Sequence, residues 1–134
     1  MSQENVEIMR RAFQALADRG VDGLAEFLHP DINWRAMEGA PDDVGEMQGT
    51  EAARRYVEDW FATFDDFKTT PEELLDAADG RVVAVLGVTG RAKLSGITTG
   101  IRYAAVYTLR DGKIARVREY ADRQEALAAA EVAE

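Results

Sequence analysis

Two carboxylates near the end of the chain, Glu119 and Asp122, lie three residues apart in the segment VREYADRQEAL. A carboxylate that is partly removed from water can act as a general acid or base near neutral pH. Asp122 precedes an apparent helix and has Glu125 three residues later, which is the pattern of a helix N-cap. Glu119 is therefore the candidate for chemistry, and Asp122 the candidate for a structural role.

The position of Glu119 depends on the turn Asp111-Gly112, because Asp-Gly is the strongest short hairpin signal. Regular pairing outward from this turn places Glu119 opposite Ala104 and on the same sheet face as its diagonal neighbour Arg102. Burial would raise the pKa of Glu119, and the charge of Arg102 would lower it. Two interpretations stay open: a poised acid or base assisted by Arg102, and a structural ion pair that lines the core.

The two faces of this predicted hairpin differ in character. The face of Glu119 is small and apolar apart from Arg102, whereas the opposite face pairs tyrosines with arginines. Arginine beside tyrosine gives cation–π contacts on a wetter or interfacial surface. The residues of this second face are Tyr103, Tyr107, Arg116, Arg118 and Tyr120.

Aromatic and small apolar residues could either line a pocket near Glu119 or fill the core, and this choice stays open. Trp34 is the strongest pocket candidate, because it shares a strand face with Ala36. The predicted lining residues are Phe13, Trp34, Ala36, Tyr56, Trp60, Val106 and Val117. His29 is the sole histidine and there is no cysteine, so no metal site is predicted.

The elements that must position these residues follow from hydrophobic periodicity. A helix is predicted from the start of the chain to Gly20, a second over residues 22–28, and a third from a cap at Thr50, with a short strand over 32–37 and a loop over 38–49. From Phe67 onward the pattern is that of strands joined by turns. This order predicts an α+β domain in which about three helices pack on a mostly antiparallel sheet.

Composition limits the partners. The chain has 134 residues, which fits a single domain over 1–134, and its net charge of −9 disfavours nucleic acid and anionic membranes. No stretch is predicted to span a membrane, and the first residues lack the pattern of a signal peptide. We therefore expect a cytoplasmic protein.

The segments FLHPDINWRA, GTEAARRYVEDWFATF and LRDGKIARVREYADRQEAL, in this order, resemble the SnoaL-like branch of the nuclear transport factor 2-like superfamily. The resemblance covers nearly the whole chain. It implies a cone-shaped fold, in which a strongly curved sheet wraps around helices and leaves a pocket between them. Many members form homodimers through the outer face of the sheet, which suits the tyrosine and arginine face here.

The resemblance also implies positions for catalytic residues, and most of them are not occupied by catalytic types here. The ketosteroid isomerase positions correspond to Ala12, Ala36 and Val106. Limonene-epoxide hydrolases would carry an arginine and an aspartate around Leu86 and Val88, and their second aspartate aligns with Glu119. SnoaL-type cyclases use an acid near this last strand together with a histidine on a neighbouring strand, which is missing here.

Three functions remain as hypotheses. The first is an isomerase, cyclase or hydrolase that needs no cofactor and acts on a small, mainly apolar molecule, with Glu119 moving the proton and Arg102 stabilising negative charge. The second is a non-catalytic module that binds a hydrophobic molecule in the same pocket. The third is a structural dimer whose interior is filled with side chains, since the fold alone does not decide function.

Overall fold

The computed structural model describes residues 2–37 and 45–131. The helices are α1 (Ser2–Arg19), α2 (Val21–Ala25), α3 (Thr50–Thr63) and α4 (Arg123–Ala129). The strands are β1 (Leu28–Arg35), β2 (Glu46–Gln48), β3 (Phe64–Ala77), β4 (Arg81–Ala92), β5 (Thr98–Arg110) and β6 (Lys113–Tyr120).

The six strands form one curved, unclosed sheet in the order β2-β1-β6-β5-β4-β3. All neighbouring pairs are antiparallel except β1 and β6, which run parallel. The predicted α+β architecture is thus confirmed. The parallel pair brings the C-terminal strand into the middle of the sheet, beside the first strand.

The sheet has two covered faces. The inner face packs against α1 and α3, and with them it forms the main hydrophobic core, which includes Met9, Ile32, Tyr56 and Leu86. The outer face is partly covered by α4, whose Ala126 and Leu127 form a second cluster with residues of β4 and β5. The two clusters explain why β4 is apolar on both sides.

Both Asp-Gly pairs make the predicted turns. Asp111 and Gly112 have φ angles of 55° and 75°, and Asp79 and Gly80 have φ angles of 63° and 75°. Two successive left-handed residues give the backbone twist that suits a tight hairpin, and aspartate and glycine tolerate that conformation.

The register of the β5–β6 hairpin differs from the prediction by one residue. Arg110 pairs with Lys113 as expected, but a bulge follows, because Thr108 pairs with Arg116 rather than with Ala115. Ala115 is the extra residue of this bulge. Beyond it Glu119 lies opposite Ala105, so the predicted pairing with Ala104 is wrong.

Three smaller expectations are also corrected. The second helix ends at Ala25, and β1 begins at Leu28 and runs through Pro30, which lies in a stretch without ladder pairing where a missing N–H is tolerated. Residues 46–48 of the predicted loop form the edge strand β2, and residues 38–44 of that loop lie outside the described residues. Gly49, with φ 90°, occupies the N-cap position of α3 instead of Thr50.

Candidate functional site

A cavity of about 60 Å³ lies between the inner face of the sheet and the helices α1 and α3. Its wall is largely apolar, and Glu119 carries the one carboxyl group among the described residues that line it. The lining residues are Met9, Ala12, Phe13, Leu16, Leu24, Trp34, Tyr56, Val57, Trp60, Phe67, Thr69, Val88, Tyr103, Tyr107, Ile114 and Glu119.

Glu119 is held by donors from three parts of the chain. Its Oε2 accepts a hydrogen bond from Trp34 Nε1 at 2.8 Å, and its Oε1 accepts one from the backbone N–H of Met37 at 3.2 Å. The Tyr56 hydroxyl lies 3.2 Å from Oε1 and 3.3 Å from Oε2. Both carboxylate oxygens are therefore engaged, and the side chain is fixed in one orientation at the wall of the cavity.

Local geometry explains why these groups converge. Trp34 on β1 pairs with Val117 on β6, so Glu119 follows on the same face two residues later. Tyr56 reaches the same point from α3, and its ring packs on Trp34 with a centroid distance of 5.6 Å. The two aromatic rings support each other while both donate to Glu119.

A group of partly exposed aromatic rings lies beside the cavity. Trp60 stacks on Phe64 with a centroid distance of 5.8 Å and lies 5.7 Å from Phe67. Phe61 contacts Phe67 edge to face at 5.0 Å. Trp60 and Phe67 belong to the cavity wall, so this group, which we call the aromatic cluster, forms a partly exposed section of that wall.

Tyr107 lies on β5 and lines the same cavity. It is only 5% exposed, and its ring packs edge to face on Phe13 at 5.9 Å. Burial, and secondly the charge of Glu119, hold the pKa of Tyr107 far above its usual value. The hydroxyl therefore stays protonated at neutral pH.

The structure brings together five of the predicted site residues. Glu119, Trp34, Tyr56, Phe13 and Trp60 all lie at the cavity. The other predicted lining residues are buried but do not line it. Ala36 and Val117 belong to the main core, and Val106 lies on the outer face beside α4.

The predicted contact between Arg102 and Glu119 is wrong. Arg102 Nε donates to Glu72 Oε1 at 2.6 Å and its NH2 group donates to Glu72 Oε2 at 3.2 Å. The Arg102 side chain is 70% exposed and belongs to the outer face of the sheet. The ion pair with Glu72 raises the pKa of Arg102, mainly through the hydrogen bond. The bulge at Ala115 is the physical reason, because it separates the faces of Arg102 and Glu119.

Because of the same bulge, the predicted face of tyrosines and arginines is wrong in part. Tyr103 and Tyr107 point inward to the cavity, so they are not on the outer face. Arg116, Arg118 and Tyr120 alternate with the inward residues Val117 and Glu119 and remain on the outer face.

Arg118 is partly buried on this outer face. It donates to the carbonyl of Asn33 at 3.2 Å, and its pKa is lowered by burial and then by the charge of Arg116.

Two contributions to the site were missed from the sequence. The Met37 N–H follows the end of β1, and only the three-dimensional path of the chain places it against Glu119. Tyr107 was assigned to the wrong face, and only a sequence signal for the bulge could have corrected this. No such signal is present, since both faces of β5 carry apolar residues here.

Neither a metal site nor a membrane span is found in the described part of the chain. Within residues 2–37 and 45–131, no three histidine, aspartate or glutamate side chains are grouped to hold a metal ion. Over the same ranges, no helix has the length and apolar character needed to cross a bilayer.

The chain belongs to the SnoaL-like domain family. The family model matches residues 9–117, which is most of the chain. The match spans α1 through most of β6, and it therefore includes Trp34, Tyr56 and Tyr107, while Glu119 lies just beyond its end. A comparison with curated protein sequences gives no significant match.

Solved structures with the same fold cover almost the whole chain. An NTF2-like protein from Burkholderia xenovorans LB400 is 28% identical, with 97% of each chain covered and a TM-score of 0.71. TerC co-crystallised with polyporic acid is 23% identical, with 95% of this chain and 97% of that chain covered and a TM-score of 0.75. RV0760c from Mycobacterium tuberculosis, in complex with estradiol-17beta-hemisuccinate, is 16% identical, with 87% and 92% covered and a TM-score of 0.73.

Proposed function

We propose that the protein binds a small, mainly apolar molecule in the cavity, and that Glu119 acts on it as a general acid or base without a cofactor. The observation that carries this proposal is a carboxylate at the wall of an otherwise largely apolar cavity. Such a group can remove a proton from a bound molecule and return it at another atom, as an isomerase, cyclase or hydrolase requires.

The hydrogen bonds of Glu119 give the reaction its geometry. Trp34 and Tyr56 donate to the carboxylate and keep it at one edge of the cavity, so a ligand meets it in a fixed direction. Arg102 has no part in this mechanism, since it is paired with Glu72 at the surface.

Entry of a ligand requires the cavity to widen. A dry cavity of about 150 Å³ holds benzene, whereas the cavity here has about 60 Å³. The aromatic cluster is a part of the wall with room to move, because its side chains are only partly buried. We propose that Trp60 and Phe67 shift outward when the ligand enters.

Two proteins of similar fold were crystallised with small molecules. TerC was co-crystallised with polyporic acid, and RV0760c was crystallised in complex with estradiol-17beta-hemisuccinate. These complexes support the proposal that this chain binds a small molecule.

A non-catalytic binding module is the second candidate. The observation in its favour is that both oxygens of Glu119 already accept hydrogen bonds from the protein, so Glu119 also ties β1, α3 and β6 together. In this case the ligand would occupy the cavity without chemical change.

The deciding experiment compares Glu119→Gln with Arg102→Gln. Both variants remove one charge, but only Glu119 lies at the cavity. A panel of small ketones, enols and epoxides is followed by NMR for proton exchange, isomerisation or hydrolysis. We expect Glu119→Gln to lower turnover by at least about a hundredfold and Arg102→Gln to leave it unchanged.

Two results would speak against the catalytic proposal. Binding of panel compounds without conversion by the wild-type protein would favour the binding module. Equal turnover by wild type and Glu119→Gln would exclude Glu119 as the acid or base.

Homodimerisation through the outer face stays a prediction, as does the cytoplasmic location. The surface proposed for the dimer now consists of Arg116, Arg118 and Tyr120, without Tyr103 and Tyr107. Sedimentation velocity of the wild type and of Arg116→Glu tests it, with loss of the dimer expected in the variant.

A further inference from the structure

Three large apolar side chains are exposed at one end of the sheet. They lie in the turn between β4 and β5 and near the start of β5: Leu94 is 104% exposed, Ile97 64% and Ile101 46%. Turns normally carry small polar residues and glycine, and Ser95 and Gly96 follow that pattern. A leucine at the apex departs from it. We call the three side chains the apolar tip, and a group of this kind marks an interaction site.

The apolar tip continues the inner face of the sheet. Ile101 pairs with Val88, which lines the cavity, so both side chains point to the same side. On this side of β4, Gly90 follows Val88, and a Cβ atom at Gly90 would lie 3.0 Å from the Phe64 Cβ. Phe64 therefore packs directly on the strand, and the apolar tip and the aromatic cluster share one side of the sheet beside the cavity.

The charge of this end of the sheet differs from that of the chain as a whole. The chain has 25 acidic residues, but residues 80–110, which include β4, the turn and β5, contain none. Arg91 pairs with Asp65 and Asp66 at 3.8 and 3.5 Å, which leaves Lys93 as the charge of the turn. At physiological ionic strength charges are screened beyond about 8 Å. A surface that touches the turn is therefore influenced by Lys93 more than by the net charge of the molecule.

The area of the apolar tip favours a lipid surface over a second protein chain. Three aliphatic side chains with these exposures supply on the order of 200 Å² of apolar surface, whereas a stable protein interface buries about 800 Å² on each partner. A projecting turn can enter the boundary between lipid headgroups and acyl chains without a partner of matching shape. A dimer through the outer face of the sheet would leave the apolar tip free, because Ile101 lies on the inner face.

We propose that the β4–β5 turn docks on a lipid bilayer, with Leu94, Ile97 and Ile101 among the headgroups and upper acyl chains and Lys93 at the lipid phosphates. The contact is reversible, because it buries fewer carbon atoms than a single myristoyl chain, which alone gives marginal membrane binding. Docking brings the side of the cavity that carries the aromatic cluster close to the bilayer, where apolar molecules concentrate. This inference goes beyond the proposed function and does not depend on the chemistry of Glu119.

Vesicle flotation with the whole protein tests the proposal. The probes are vesicles of phosphatidylcholine and vesicles of a phosphatidylcholine–phosphatidylglycerol mixture, both at physiological ionic strength. The wild type is compared with Leu94→Ser, which makes the apex polar, and with Leu94→Ile, which keeps it apolar and serves as the matched control. Lys93→Gln removes the charge of the turn.

We expect the wild type to bind both kinds of vesicle with an association constant on the order of 10³ M⁻¹, below that of a myristoyl chain. Leu94→Ser should weaken binding about tenfold, because an apolar side chain is lost from the contact, and Leu94→Ile should bind like the wild type. Lys93→Gln should weaken binding to the anionic mixture about fivefold and change binding to phosphatidylcholine less than about twofold.

Nitroxide-labelled lipid locates the contact on the molecule. The amide NMR signals of residues 93–97 should broaden when labelled vesicles are added. Asp111 and Gly112 lie at the other end of β5, about 40 Å away for a strand of this length. Their signals should keep their width.

Three results would overturn the inference. The wild type fails to bind either kind of vesicle, or Leu94→Ser binds as well as the wild type. In the third result, sedimentation velocity without lipid shows that the wild type self-associates and Leu94→Ser does not, so that the apolar tip binds a second copy of the chain. None of these results bears on turnover by Glu119, so failure of this inference is distinguishable from failure of the proposed function.

Discussion

At the level of single residues, Glu119 combines two roles that are usually separate. It lines a cavity, and it also accepts hydrogen bonds that join β1 and α3 to β6. Removal of a donor leaves the partly buried carboxylate with fewer partners, which costs more than the loss of a neutral hydrogen bond. The stability of the fold and the proposed chemistry of the site therefore depend on the same carboxylate.

The hydrogen bond between Trp34 and Glu119 is expected to contribute measurably to stability. A double-mutant cycle of Trp34→Phe and Glu119→Gln should give a coupling energy of about 1–3 kcal/mol, as for hydrogen bonds to charged groups. Urea unfolding followed by circular dichroism provides the free energies of unfolding. The matched cycle of Trp60→Phe with Glu119→Gln should give less than about 0.5 kcal/mol, and equal couplings in the two cycles would refute the prediction.

Tyr107 should make the protein sensitive to alkaline pH. Its pKa is raised in the folded state, whereas in the unfolded chain it is about 10. Below this pH Tyr107 keeps its proton in both the folded and the unfolded state. Its full contribution to the free energy of unfolding is then present. Above it the unfolded state loses the proton first, and the free energy of unfolding falls as pH rises.

Urea unfolding at a pH one unit above the pKa of tyrosine in the unfolded chain measures this effect. Relative to neutral pH, Tyr107→Phe should lose about 1 kcal/mol less than the wild type, because one pKa unit corresponds to about 1.4 kcal/mol. Tyr120→Phe is the control and should lose as much as the wild type. If Tyr107→Phe and the wild type fall in parallel, the hydroxyl ionises as readily in the folded state as in the unfolded chain.

At the level of elements, α4 shows how a short helix is fixed by its first residue. The Asp122 side chain accepts a hydrogen bond from the Glu125 N–H at 2.9 Å, which confirms the predicted N-cap. The helix then places Ala126 and Leu127 on the outer face of the sheet. The cap and this packing together hold a helix that is too short to be stable alone.

The variant Asp122→Ala should lower the free energy of unfolding by about 1 kcal/mol. Leu127→Ala, which truncates a side chain that is 2% exposed, should cost about 2–4 kcal/mol. Denaturant unfolding measures both values. An Asp122→Ala variant that is as stable as the wild type would show that the cap does not stabilise the protein.

The sequence predicted correctly those elements that depend on a short stretch of neighbouring residues. The apolar periodicity of α1 and α3, the two Asp-Gly turns and the cap at Asp122 are all local, and each was predicted at or close to its position in the structure. Trp34, Tyr56 and Glu119 were predicted at one site, but the hydrogen bonds between them depend on three separate elements and could not be derived.

The predicted register of the β5–β6 hairpin was wrong because the sequence of β5 does not distinguish its two faces. Both sides of β5 are apolar, with Ala104 and Val106 on one face and Ala105 and Tyr107 on the other. Alternation therefore could not reveal the bulge at Ala115, which shifts every later pair by one residue. The parallel contact of β1 with β6 is likewise a tertiary feature that no short motif encodes.

At the level of the whole molecule, charge should select among ligands. The net charge of −9 and the carboxylate of Glu119 both oppose an anion in the cavity. We expect the neutral indanone to bind at least about tenfold more tightly than indane carboxylate of similar size, a difference of about 1.4 kcal/mol. NMR titration at low and high salt measures both compounds.

Glu119→Gln should improve binding of the carboxylate and leave the affinity for indanone within about twofold. High salt should reduce the difference between the two compounds only in part, because the charge of Glu119 is shielded from ions by the cavity wall. Equal affinity of the wild type for both compounds would show that the negative charge of the protein does not affect ligand binding in the cavity.

The central position of β6 in the sheet delays folding during synthesis on the ribosome. Trp34 and Glu119 are 85 residues apart in the sequence. Their hydrogen bond can form only after β6 has paired with β1 and β5. At about 5–20 residues per second, a ribosome needs on the order of ten seconds to extend the chain from one to the other. During this time β1 lacks its central neighbour and the cavity lacks one wall, so only a nearly complete nascent chain can capture a ligand.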